Sequence, residues 1–224
     1  MRSSTSFLFI SALLIILSSS VAQAQKTDPY HLESGGFGSL IRNNTDMTIW
    51  WCEGAYKIMR DTPPPSLSGD TITLWSAKNE YEPFQLVIRT ETGEGGKYSI
   101  SAGDLISDNN IISNKNIDIR RLEYVEVTKP TDSYGYADHW PDPLPPVTGP
   151  FTVPPGKNTT LWITVYVPPG TAAGSYEGSM TIDKQDRKED IPLKLTVWDF
   201  DLPAVPGIRS GFGLSVDKIA AYHN

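Results

Sequence analysis

The sequence predicts an all-β protein, an antiparallel β-sandwich of the Ig or jelly-roll type. Three observations favour this class. Apolar residues alternate with polar ones in period two, long helical patterns are absent, and clusters of Gly, Pro and Asn separate the alternating runs. Many short strands with turn signals between them are typical of two packed antiparallel sheets.

The clearest strands are runs in which every second residue is apolar, at 84–89, 161–167 and 191–198. This alternation places one face of each strand in a core and the other face towards solvent. Trp162 and Trp198 fall on the outer faces, so we expect a loop or a further domain to cover at least one of them. Weaker patterns predict strands at 46–51, 56–60, 71–75, 97–102, 118–128 and 175–182, and a charged hairpin tip at 184–190.

The N-terminus carries the features of a secretory signal peptide. Arg2 provides a positive charge, residues 7–17 form an apolar run, and Ala22-Gln23-Ala24 forms a small-residue cleavage site. The apolar run is too short to span a membrane. We therefore expect cleavage after Ala24 and a secreted or periplasmic mature chain with no membrane anchor.

The C-terminus predicts a second unit after the sandwich. A linker with two prolines at 201–206 precedes a new apolar segment at 208–214. A complete domain seldom ends by opening a new element after such a linker, so the new segment predicts the start of another unit. The expected organisation is a signal peptide at 1–24, a flexible lead-in at 25–45, the sandwich at 46–203, and at 204–224 a linker with the truncated start of a (β/α) barrel.

Composition and charge limit the function classes. The chain has 19 Lys and Arg against 26 Asp and Glu, a net charge of −7. Binding to nucleic acid or to anionic lipid needs clustered cations, so neither is an expected partner. Cys52 is the single cysteine. We expect it to be a small buried residue beside Trp50 and Trp51 and not a reactive thiol.

A long segment rich in aromatic residues and proline, 131–146, interrupts the strand pattern. Segments of this kind are often functional or pack at an interface. One interpretation is sugar binding, with aromatic faces against the ring and polar groups on its hydroxyls. The other is packing against the sheet or a further domain. The candidate residues are Tyr134, Tyr136, Asp138, His139, Trp140 and Asp142.

Catalytic and metal-binding patterns are weak. Glu80 and Glu82 share one strand face and could form a carboxylate pair for glycoside chemistry, although such pairs more often lie at a solvated strand edge or cap a turn. The three histidines lack the spacing of a zinc site, and no calcium loop or phosphate-binding loop is present. We therefore expect no metal and no cofactor.

Six blocks of the sequence occur in a recognisable order, at 50–61, 77–89, 140–144, 158–168, 173–178 and 209–214. Together they resemble the N-terminal β-sandwich of glycoside hydrolase family 123. The resemblance implies a bacterial exported enzyme in which this sandwich precedes a (β/α) barrel. In that family an adjacent Asp-Glu pair in the barrel cleaves N-acetyl-β-galactosaminides with help from the substrate's acetamido group. This chain contains no Asp followed directly by Glu, so the resemblance assigns no catalytic residue to it.

These observations predict a non-catalytic N-terminal domain whose partner is the catalytic barrel of the same polypeptide. The parent protein would be a glycoside hydrolase, while this chain alone would be inactive. The alternative is a free-standing carbohydrate-binding or adhesion module that binds a glycan through the Tyr134–Pro146 loop. An Ig-like assembly module of the cell envelope is a third possibility, favoured only by architecture.

Overall fold

A computed structural model of the protein describes residues 37–90, 96–108, 110–131, 135–184, 187–205, 207 and 215–223. Within them the chain forms fourteen strands, a short 3-10 helix at Asn114–Asn116 and one α-helix, α1, at Val216–His223. The strands are β1 Ser39–Asn43, β2 Thr48–Glu53, β3 Ile72–Lys78, β4 Glu80–Arg89, β5 Gly96–Ala102, β6 Leu105–Ser107, β7 Asn110–Ile112, β8 Ile117–Arg121, β9 Tyr124–Val127, β10 Asp138–Pro141, β11 Phe151–Val153, β12 Thr159–Val167, β13 Gly174–Lys184 and β14 Arg187–Asp201.

The strands form two main sheets. The first has the order β1-β2-β4-β12-β8 and is antiparallel throughout. The second has the order β11-β5-β13-β14-β3, with β6 and β7 attached at β13. Its edge strand β3 pairs with β14 in parallel, from Leu193 opposite Ile72 to Val197 opposite Ser76. The predicted all-β class is confirmed, and among the named strands of the described residues β3–β14 is the pair that departs from the predicted antiparallel arrangement.

The main core lies between the two sheets. Leu161, Ile163, Val165 and Val167 of β12 are buried, and so are alternate residues of β14 from Ile191 to Val197. One cluster of buried side chains joins these residues of both sheets. The period-two pattern therefore predicted the facing of these strands correctly, and burial of this apolar surface is the main force that holds the sheets together.

A second, smaller core lies on the outer face of the first sheet. It contains Phe37, Trp50, Cys52, Ile58 and Val87. Cys52 is buried, as predicted, and burial followed by the nearby Glu53 charge raises the pKa of its thiol. A raised pKa keeps the sulfur protonated and unreactive.

Residues 54–62, here called the cover segment, close over this outer core. The sequence predicts a strand at 56–60, and this prediction is wrong because the segment is irregular. Two buried amides fix it. Gln85 donates its Nε2 hydrogens to the carbonyl oxygens of Tyr56, at 2.7 Å, and Glu53, at 3.2 Å. Asn158 donates from Nδ2 to Met59 O at 2.9 Å and to Thr62 O at 2.8 Å.

Several element boundaries differ from those predicted. Strand β1 lies inside the segment 25–45 that the sequence analysis assigns to a flexible lead-in. The predicted strand 118–128 is two strands, β8 and β9, because the chain leaves β12 after Leu122. The signal peptide at 1–24 and the apolar segment 208–214 lie outside the described residues. In the part of the chain that the structure describes, no helix has the length and apolar character needed to cross a membrane.

Candidate functional site

Much of the aromatic segment predicted as a long connection is paired with the strands that precede it, and β9 and β10 form a separate two-stranded sheet. Strand β10 pairs with β9, with His139 opposite Glu126 and Trp140 opposite Val125. The chain then continues beside β8, where Arg121 N donates to Pro145 O at 2.9 Å. Residues 138–147 thus run antiparallel to residues 119–127. We call residues 124–141, which contain β9 and β10, the aromatic hairpin.

The aromatic hairpin brings two of the predicted site residues together. The Tyr136 and Trp140 ring centroids are 5.1 Å apart at an interplanar angle of 54°, and Trp140 Nε1 donates to Tyr136 O at 2.9 Å. Both side chains are half-buried. With Lys57, Val127 and Pro130 they line a pocket of about 260 Å³.

The other predicted residues are placed differently. Asp138, His139 and Asp142 are exposed and are not among the described residues that line this pocket. Asp138 Oδ1 accepts a hydrogen bond from the backbone N–H of His139 at 2.6 Å. Tyr134 lies outside the described residues. Sugar binding by this hairpin stays a prediction, and the indole N–H that could contribute to it is already bound to the backbone.

Glu80 and Glu82 lie on one strand face, as predicted. They stand opposite Val167 and Val165, two inward residues of β12. Glu80 Oε2 accepts hydrogen bonds from Ala77 N at 2.5 Å and from Ser76 Oγ at 3.3 Å, so this carboxylate closes the β3–β4 turn. Of the two roles considered for Glu80, these contacts favour the turn cap.

Glu82 is half-buried beside other carboxylates. Burial raises the pKa of its carboxyl, and the charges of Glu80 and Glu53 raise it further. Glu53, Glu80 and Glu82 are three neighbouring carboxylates, an arrangement that raises the question of a metal site. However, no group of three or more His, Cys, Asp or Glu side chains with a metal-binding arrangement occurs among residues whose positions are described.

The structure reveals a second aromatic surface where β14 leaves the sandwich. We call it the exit patch and define it as Trp75, Trp198, Phe200 and Leu202. The exposed fractions of these side chains are 52%, 45%, 50% and 37%. The Trp198 and Phe200 rings are stacked, with centroids 5.8 Å apart at an interplanar angle of 16°. Beside them Lys78 Nζ contacts Asp199 Oδ1 at 2.8 Å.

The sequence pattern predicted only part of the exit patch. It placed Trp162 and Trp198 on outer faces and required a cover for at least one of them. Trp162 is half-buried under the cover segment, where a Cβ added to Gly54 would lie 3.1 Å from its ring. Trp198 stays exposed. Trp75 joins it because Trp75 stands opposite Thr196 in the parallel β3–β14 pair, and the sequence pattern did not indicate that pairing.

The aromatic hairpin and the exit patch lie at opposite ends of β12. At one end Leu122 N donates to Thr160 O, next to the hairpin. At the other end Val167 stands opposite Glu80, next to the turn that contacts Leu202. Seven residue steps at roughly 3.3 Å each separate positions 160 and 167, so these two ends are about 23 Å apart.

Comparison with known proteins identifies the family. The family model described as the glycoside hydrolase 123 N-terminal domain matches residues 52–184. The chain belongs to this family. The resemblance noted in the sequence is therefore confirmed, and the match runs from the end of β2 to the end of β13.

Among solved structures, the family 123 sandwich is similar to a family 123 glycoside hydrolase from Clostridium perfringens described in work on glycolipid glycan hydrolysis. The TM-score is 0.52 at 20% sequence identity, over 61% of this chain and 24% of that chain. This likeness shows the fold, and the matched region spans about a quarter of that enzyme's length. The CooA pilin subunit from enterotoxigenic Escherichia coli is a more distant match, with a TM-score of 0.31 at 13% identity over 61% of this chain and 94% of that chain. No curated protein matches the chain.

Proposed function

We propose that this chain is the non-catalytic N-terminal β-sandwich of an exported family 123 glycoside hydrolase. A catalytic barrel follows it in the same polypeptide, and the sandwich packs against and supports that barrel. The family match over residues 52–184 carries this proposal. The enzyme from Clostridium perfringens supports it, because three quarters of that chain lies outside the matched region.

The proposed substrate class is the N-acetyl-β-galactosaminides, which the sequence resemblance implies. Hydrolysis assisted by the substrate needs one carboxylate to orient the acetamido group and one acid to protonate the leaving oxygen. The chain has no adjacent Asp-Glu pair, and Glu80 is engaged by the β3–β4 turn. The chemistry is therefore assigned to the barrel. Export rests on the signal-peptide features of residues 1–24.

Activity measurements on two polypeptides test the proposal. Residues 25–224 should not hydrolyse 4-nitrophenyl N-acetyl-β-galactosaminide, whereas the longer product of a reading frame that continues beyond Asn224 should do so. Glu82→Gln and Glu80→Gln, made in residues 25–224, are the matched controls. Turnover by residues 25–224 that disappears in either variant would place the chemistry in the sandwich and overturn the proposal.

The length of the reading frame separates this function from the free-standing module. A stop codon directly after Asn224, together with saturable glycan binding that is lost in Trp140→Ala, would favour the module. Several hundred further codons and activity only in the longer product would favour the N-terminal domain.

A further inference from the structure

The exit patch is an exposed group of large apolar side chains. Single exposed apolar residues are ordinary, but adjoining ones mark interaction surfaces. Here Trp198 and Phe200 are stacked on one surface, and Trp75 lies one diagonal step from Trp198 across the strand pair. Trp and Phe are enriched in the centres of protein interfaces, where they bury a large area with few rotatable bonds.

We propose that the exit patch is the surface on which the catalytic domain that follows this sandwich docks. This inference rests on the proposed function, which supplies that domain. The docking partner is expected to present an apolar surface, since the ring stack carries no charge. Lys78 and Asp199 contact each other at 2.8 Å. Because Asp199 lies between Trp198 and Phe200 in β14, strand alternation directs its side chain to the face opposite the rings, so this ion pair does not interrupt the apolar ring surface.

The path of the chain favours this surface. Strand β14 carries Trp198 and Phe200 and ends at Asp201, so the polypeptide that follows starts inside the patch. The five residues 203–207, between the exit patch and the predicted apolar segment 208–214, can extend at most about 17 Å. A short tether of this kind gives a following segment an effective concentration of the order of millimolar at nearby surfaces.

The aromatic hairpin is a weaker candidate for the same partner. It lies near the opposite end of β12, about 23 Å from the exit end by strand rise, so it is farther than the exit patch from the point where the following domain begins. Its indole N–H is bound within the hairpin, and its two rings contact each other. We therefore assign the domain interface to the exit patch and leave the hairpin outside it.

Oxidative footprinting read by mass spectrometry compares the two surfaces directly. Hydroxyl radicals label exposed Trp, Phe and Tyr side chains in residues 25–224 and in the longer product. Labelling of Trp198 and Phe200 should fall severalfold in the longer product, while labelling of Trp140 and Tyr136 should stay unchanged. Protection of Trp140 and Tyr136 with unchanged labelling of Trp198 and Phe200 would overturn the inference.

Paired variants provide a second test that does not depend on labelling. The double change Trp198→Ser and Phe200→Ser affects exposed side chains, so residues 25–224 should keep their melting temperature. In the longer product the same change should lower the melting temperature by several degrees and accelerate proteolytic release of the sandwich. Trp140→Ser in the longer product is the control. A larger loss from Trp140→Ser than from the double change would contradict the assignment.

The failure of this inference differs from the failure of the proposed function. If the longer product is an active hydrolase but Trp198 and Phe200 remain fully labelled, only the docking surface is wrong. If no longer product exists, the proposed function fails, and size measurement of residues 25–224 shows whether a second copy covers the patch. A dimer that dissociates in the double variant would assign the patch to self-association and overturn docking.

Discussion

Gln85 should hold the cover segment on the outer face of the first sheet. Its side chain is 1% exposed, and its Nε2 donates to Tyr56 O at 2.7 Å and to Glu53 O at 3.2 Å. Replacing Gln85 with Met keeps a side chain of similar length and removes both donors. The carbonyl oxygens of Glu53 and Tyr56 would then lose these partners above the outer core.

The expected cost follows from these two contacts. Leaving a buried acceptor without a donor costs roughly 1–3 kcal/mol. Both hydrogen bonds are only partly shielded from solvent, so water can replace part of what is lost. Each of the two acceptors should therefore cost an amount near the low end of this range. We expect Gln85→Met to lower the free energy of unfolding by about 1–3 kcal/mol in total.

Two measurements on residues 25–224 check this expectation. Urea unfolding gives the change in the free energy of unfolding. Brief trypsin treatment under native conditions reports local opening, because Lys57 and Arg60 are exposed residues of the cover segment. Gln85→Met should accelerate cleavage after these two residues before it affects cleavage elsewhere. A stability loss with no preferential cleavage at Lys57 or Arg60 would show that Gln85 does not hold the segment.

Three further predictions concern the core, the acidic turn and the tail. Leu195→Ala should lower the free energy of unfolding by about 2–5 kcal/mol through a cavity between the sheets, while Lys194→Ala on the exposed face should cost little in the same urea titration. Glu82 has a raised pKa in the folded protein, so its contribution to stability is present at low pH and is lost as the pH rises through that value. Glu82→Gln should therefore raise the melting temperature at pH 7, and the gain should vanish near pH 3; a constant gain across this range would contradict the pKa shift. Trypsin should cleave after Lys218 earlier than after Lys194, because Lys218 lies in the exposed eight-residue helix α1, and helices this short are marginal without packing; equal rates would mean that α1 is as well protected as β14.

The sequence predicted those features of the fold that depend on local alternation. The facing of β12 and β14 and the shared face of Glu80 and Glu82 follow from a period of two residues. The strand predicted at 56–60, within the cover segment, was wrong: Ile58 and Met59 are neighbours and both are buried, which breaks the alternation of a strand. What fixes the cover segment is a pair of buried amides, Gln85 and Asn158, which are distant in sequence. Such contacts leave no periodic signal.

The candidate surfaces were predictable to different degrees. Composition was enough to single out the segment 131–146, since six aromatic or polar candidate residues lie within it. The exit patch depends on the parallel pairing of β3 with β14, which joins Trp75 to residues more than one hundred positions away. A single exposed Trp in each strand carries no signal of its own. Only the sheet order shows that these residues form one surface.

The geometry of the exit supports a fixed orientation of whatever follows β14. Asn79, in the β3–β4 turn, has a backbone φ of 61°, in a region that Asn occupies more readily than most residues. Its backbone N–H donates to Val167 O at 2.7 Å, and its Nδ2 donates to Leu202 O at 3.0 Å. Its Oδ1 accepts a hydrogen bond from the Tyr166 hydroxyl at 3.1 Å.

Asn79 thus connects β12 of the first sheet to Leu202, the residue that follows β14 of the second sheet. Leu202 N also donates to Lys78 O at 2.8 Å, which adds a second bond across the same junction. The exit direction is therefore set by both sheets before any neighbour docks. Because the exit is already ordered in the free sandwich, docking does not cost the entropy of ordering it. The contacts of the exit patch can therefore contribute more of their free energy to holding the next domain.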